Sequence, residues 1–185
     1  VLWCANLGMH LDRFGASFMS ARTASIVAVD VVVFLIVVVA ARILPMFTRN
    51  ATSIETIRSV PALDVAAAIA TGAVVVLDAV PSLSFSAPFV AGVAGVLLVI
   101  RSIPWGARYT LREPLLWILH VGHGFIALGL VLRACAAFTD YVPFISALHA
   151  ITAGGFGCMT LGMMARVTLG HTGRLLRTSR PVTVS

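Results

Sequence analysis

The sequence predicts an all-α fold: a polytopic bundle of transmembrane helices, with five full spans and one truncated helix at its amino end. Three observations predict it. The 185 residues are 59% hydrophobic and 11% charged, with a mean hydropathy of +1.02, whereas a soluble domain carries roughly 25% charged residues. The apolar residues fall into runs of about 17–25, long enough to cross a bilayer. The 13 basic residues are all arginine, and they mark the ends of those runs rather than one solvated face.

Residues 1–11 read as the end of a helix, at about 16 Å too short to span. The chain opens on Val1 inside an apolar stretch, so the expectation is a piece of a longer membrane protein, cut at both ends. The first full span runs over about 23–44 and stops at Pro45, where the missing N–H and the ring break an α-helix. The next starts near Pro61 and Asp64 and ends by Pro81. A third covers 87–103 and ends at Pro104. A fourth opens at Glu113-Pro114, with an acid at the positive helix end and proline in the first turn, and reaches about 136. The fifth covers 143–168. From 170 to 185 the chain is a polar, basic tail. The whole of 1–185 reads as a single transmembrane bundle with no internal repeat.

Charge supports this count. With spans numbered alternately, one side receives Arg42, Arg49, Arg58, Arg101, Arg108, Arg112, Arg166, Arg174, Arg177 and Arg180, and the other Arg13, Arg22 and Arg133. Ten against three is the asymmetry of the positive-inside rule, so the arginine-rich side is expected to be cytoplasmic. Nucleic acid is excluded as a partner despite a pI near 10.6, because the arginines form no basic face. The partner expected is the lipid bilayer. Cys4, Cys135 and Cys158 are scattered and form no CxxC pair, which argues against a disulfide framework or a zinc ribbon.

Polar side chains inside the spans carry the functional question. Asp30 interrupts an apolar run and needs a His or Arg partner there. His120, His123 and His149 also lie within spans. On a helical wheel His120 and His123 share a face with Gly124, Ala127, Val131 and Ala134, while Trp117, Val121, Phe125, Leu128 and Leu132 form a large apolar face toward lipid. Small neighbours leave room for another helix or a flat ligand. In the last span, Ala147, Ala150, Gly154, Gly157 and Leu161 suggest a smooth packing stripe. Met159 and Met163 stand at i, i+4; thioethers favour Cu(I), and they also fill gaps in cores. Antiparallel pairing of the last two spans sets His120 level with about Met159, and His149 level with about Val131, some ~15 Å away. One haem cannot take both as axial ligands. Two centres at different depths are possible: His120, His123, Met159 and Met163, with His171 just outside, and His149 near Asp30, His10 and Asp78.

Three segments together resemble the NnrS family of haem- and copper-containing membrane proteins. They are Arg42-Ile-Leu-Pro-Met-Phe-Thr-Arg-Asn50, Glu113-Pro-Leu-Leu-Trp-Ile-Leu-His120, and the run from His149 through Gly154-Gly-Phe-Gly157 to Leu169-Gly-His-Thr-Gly-Arg174. Asn6 and His10 are similar to the family's Asn-then-His pattern. The resemblance covers nearly all of this chain and about the carboxy-terminal half of the family's proteins. It implies an amino-terminal half as a further packing partner, a bacterial inner (cell) membrane location, haem and copper as cofactors, and a role in nitric oxide metabolism or nitrosative stress defence, with a small gas such as nitric oxide as ligand. Arg42, Pro45, Thr48, Asn50, His120, His149, His171 and Arg174 match its pattern; His123 stands where the family usually has an aromatic residue.

The expected cofactor-binding residues are therefore His120, His149 and His10. His171, Met159 and Met163 are added as metal ligands, and Asp30, Arg42, Asn50 and Arg174 as supporting polar groups. No catalytic residue is assigned. A proton-coupled transporter built on intramembrane His and Asp is the alternative. A helical packing module whose histidines only bond their neighbours is the third reading.

Overall fold

The structure is a computed structural model that describes residue 3, residues 6–8, residue 10 and residues 20–171. Most of the basic tail, with Arg174, lies outside the described residues, as do Arg13 and Cys4. Five helices are long and apolar enough to cross a membrane: α1 (Ala21–Thr52), α2 (Pro61–Ala79), α3 (Ala87–Ser102), α4 (Pro114–Phe138) and α5 (Phe144–His171). Short 3₁₀ turns flank α3 and precede α4.

Consecutive helices pack as antiparallel neighbours, and α1 also touches α4. The helices α1 to α4 thus close into a four-membered group, and α5 lies along the outer side of α4. The core between them is built mostly from small and β-branched side chains, Val33 and Val37 of α1, Ala67 and Val74 of α2, Ala91 and Ala94 of α3 and Ile126 of α4, with Leu130 of α4 beside them. Small residues suit helix contacts in lipid, where association depends on close van der Waals approach. The wide apolar rim, including Leu35, Val39, Ile69, Val96 and Leu128, is exposed, as a hydrocarbon solvent allows.

Two features of the helices depart from expectation. The first span does not stop at Pro45. Ser20 caps its start by accepting the Thr23 N–H, and the helix passes through Pro45 to Thr52, closing on Ser53 in the left-handed region. Proline forfeits one backbone bond, but the two turns beyond it carry Thr48, fully buried, onto α4. That anchorage outweighs a local break.

The last span is not α-helical throughout. Residues Ala150–Gly157 form a π-helix between an α-helical start (Phe144–His149) and end (Cys158–His171). Its turns close i to i+5 rather than i to i+4, so a 100° wheel misplaces every later residue. The packing stripe is accordingly Ala147, Ile151, Gly155 and Met159, four apart. A Cβ at Gly155 would meet Ile126 of α4 at 2.5 Å, and one at Gly122 of α4 would meet Met159 at 2.8 Å. Gly157, expected on that stripe, does not reach α4, since a Cβ there would find only the Thr152 carbonyl of its own helix at 4.0 Å. Gly154, also expected there, does pack on α4, where a Cβ would meet Phe125 at 2.6 Å.

Candidate functional site

The arginine-rich end of the bundle holds one polar cluster. The extension of α1 past Pro45 places Thr48, whose hydroxyl donates to the Leu44 carbonyl at 2.9 Å. A hydroxyl has one hydrogen. The 2.9 Å contact between Thr48 Oγ1 and His120 Nε2 is therefore donated by the imidazole. This fixes the Nε2–H tautomer of His120 and leaves Nδ1 with its lone pair. One turn further along α4, His123 is 2% exposed and stacks obliquely on Trp105, with ring centroids 4.8 Å apart. The Leu98 carbonyl faces it, but neither ring nitrogen makes a hydrogen bond, and nor does the Trp105 indole N–H.

Arg101 continues this cluster. Its guanidinium lies 5.0 Å from the Trp105 ring, donates to the Val37 carbonyl at 2.9 Å and faces Asp64 at 3.7 Å. The second Asp64 oxygen accepts the Ser59 hydroxyl. Asp64, Arg101, Trp105 and His123 thus form a continuous line from the α1–α2 connection into the bundle. The sequence reading placed Arg101 among the boundary arginines. It is instead 1% exposed, because α3 ends in a 3₁₀ turn that carries Trp105 over it.

Met159 and Met163 of α5 line an apolar groove of about 300 Å³ against α1, together with Ile36, Ala40, Leu44 and Thr160. Gly122 of α4 packs on Met159, and a Cβ at Gly162 would touch Leu119, so the thioethers lie within about a turn of His120 in depth, as the antiparallel register predicts. Arg166 caps this region with its guanidinium 4.2 Å above the Phe47 ring.

A second cluster lies toward the other end. Arg133 of α4 donates from Nη1 to Asp30 of α1 at 2.9 Å and from Nη2 to Asp78 of α2. Arg133 and Asp30 are almost completely buried. The Arg or His partner that Asp30 requires is therefore Arg133, which the charge count assigns to the arginine-poor side of the membrane. His149 is not part of this cluster. It is exposed, and its Nδ1–H donates to the Ile145 carbonyl at 2.9 Å, which leaves Nε2 bare. The tautomer of His149 is therefore set by the helix backbone rather than by a side chain.

His10, His171, Arg42 and Asn50 are exposed. The part of the amino-terminal helix that is described lies beside the start of α1, with Gly8 near Ala24. His10 and His149 are thus toward one end of the bundle and His120 toward the other. Among the described residues no three His, Cys, Asp or Glu side chains gather in a metal-binding group. Of the described imidazoles, His120 and His149 each have one N–H engaged and one nitrogen open.

The family model described as NnrS protein matches residues 1–185. No curated protein and no solved structure matches the chain. With five membrane-length helices and a match over its entire length, the chain belongs to the NnrS family.

Proposed function

We propose that this bundle is a haem- and copper-binding protein of the bacterial inner membrane that acts in nitric oxide metabolism or nitrosative stress defence. The observation that carries the reading is the bond between Thr48 and His120, two positions of the family's pattern 72 residues apart in sequence. A ligand imidazole is commonly oriented by a hydrogen bond from its other nitrogen, and Thr48 provides that bond here.

The donors fit haem more readily than a separate copper ion. Haem iron brings four ring nitrogens of its own, so a single imidazole from the chain would suffice to hold it. His120, through Nδ1, would hold it near the apolar groove that Met159 and Met163 line. A copper ion would need more donors than any described cluster gathers; His149 Nε2, with His10 toward the same end, would contribute to it alongside other ligands. The metal centre would supply the binding site for the gas. The chain's own residues do the rest: Thr48 orients His120, Ile145 orients His149, and the apolar rim keeps water away from both.

The carrier reading has less support. Asp30 and Asp78 are both committed to Arg133, whereas a transporter's carboxylates must exchange partners.

The test is replacement of each histidine by alanine in the protein purified with its cofactors. His120→Ala should lower haem content or shift the Soret band. His149→Ala should change a different metal signal. Full haem and copper occupancy in both variants would overturn the ligand assignment.

A further inference from the structure

We propose that the cleft between α1 and α2 at the arginine-rich end binds the phosphate of an anionic phospholipid. The argument begins with depth. From Ala24 to Ala41, α1 is apolar except for Asp30 and for Ser25, whose hydroxyl donates back to the Ala21 carbonyl, a stretch of about 27 Å that nearly matches the hydrocarbon core. Arg42 therefore stands at the edge of the hydrocarbon, and Arg49, two turns on along the same face, stands about 10 Å beyond it. The connection to α2 returns over this face and brings Arg58. Its backbone is pinned there: the Arg58 N–H donates to the Pro104 carbonyl, and Ile57 is buried beside it.

The three guanidiniums line one cleft of about 750 Å³. All three are exposed, and among the described residues none forms an ion pair. Among the described residues the only carboxylate in the lining is Asp64, already engaged by Ser59 and facing buried Arg101. Glu55, on the same connection, does not line the cleft. The cleft thus keeps its positive charge at headgroup depth, and guanidiniums match phosphate oxygens in geometry as well as charge.

Below the arginines the lining turns apolar. Val38 and Val65 face outward, toward the hydrocarbon that α1 and α2 cross. Cationic headgroup level above and a valine-lined furrow below suit a phosphodiester with an acyl chain, and basic pockets between spans recognise lipids in this way. A free phosphate would use only the upper half.

The test uses the protein purified in a neutral detergent. Phosphatidylglycerol, phosphatidylcholine and inorganic phosphate are each added, and melting temperature and retained lipid are read. Phosphatidylglycerol alone should raise the melting temperature and be retained. Arg49→Gln and Arg58→Gln should each weaken its apparent affinity about fivefold. Arg108→Gln, which removes one exposed charge outside the cleft, should leave it unchanged. An equal effect of phosphatidylcholine would overturn the headgroup, and an equal effect of inorganic phosphate would overturn the lipid. Equal losses in Arg49→Gln and Arg108→Gln would replace the site by general surface charge.

Discussion

Thr48 has one proton to give and gives it to its own helix, so His120 is a donor through Nε2. Thr48→Val removes the acceptor. It should cost about 0.5–2 kcal/mol and free the ring to rotate, while Thr48→Ser should keep both; imidazole ¹⁵N shifts and melting in detergent read the two effects. His123 makes the opposite case. Its nitrogens find no bond in a fully buried site, so His123→Phe should be neutral or stabilising, because it removes unsatisfied polar atoms while keeping a ring against Trp105. A loss of more than about 2 kcal/mol would show that His123 has a polar partner. The sequence made His120 and Thr48 legible through their motif, but not their bond. It left Arg101 illegible, since an arginine that ends an apolar run looks the same whether it meets headgroups or folds back over a tryptophan.

At the scale of the helices, Arg133 fastens α1, α2 and α4 by two carboxylates. Arg133→Met leaves Asp30 and Asp78 facing each other in a buried site, and should destabilise by about 3–5 kcal/mol; a smaller loss in Asp78→Asn, measured by the same unfolding assay, would confirm that the unpaired carboxylates dominate the cost. The α4–α5 contact makes a second prediction. Gly155→Leu should sharply lower the yield of folded protein, while Gly157→Ala should be tolerated, since the one position abuts Ile126 and the other meets only the Thr152 carbonyl at an ordinary 4.0 Å. Helix existence and order were readable because proline and arginine punctuate the apolar runs. The stripe on α5 was misread because a wheel presumes α-turns. The passage through Pro45 was misread because the anchor that sustains it, Thr48 on His120, is a contact between distant parts of the chain.

For the molecule as a whole, charge sets orientation. Arg101 and Arg133 are buried and do not count as loop charges, so the ten and three of the sequence become nine and two. The bias survives, and the end of α1 that bears Arg49 and the connection that bears Arg108 should be cytoplasmic. A cysteine placed near residue 52 should resist impermeant reagents in intact cells; labelling there would reverse the orientation. The five-span count was legible because spans have a length set by the bilayer. Which helices touch was not, because in lipid the choice rests on side-chain fit rather than on hydrophobicity.

The π-helical stretch of α5 has a rotational consequence. Each residue in a wide turn advances the helix by less than the ~100° of an α-turn, so across Ala150–Gly157 a lag accumulates between the two ends of one span. His149 precedes that lag, and Met159, Met163 and Arg166 follow it. The span therefore keeps its outer imidazole and its inner thioethers at an angular offset that an α-helix of the same sequence would not have. Deleting Ala153, which is exposed, would shift that offset by up to ~100°. It would swing the methionines out of the groove against α1 without altering any of the residues that form it.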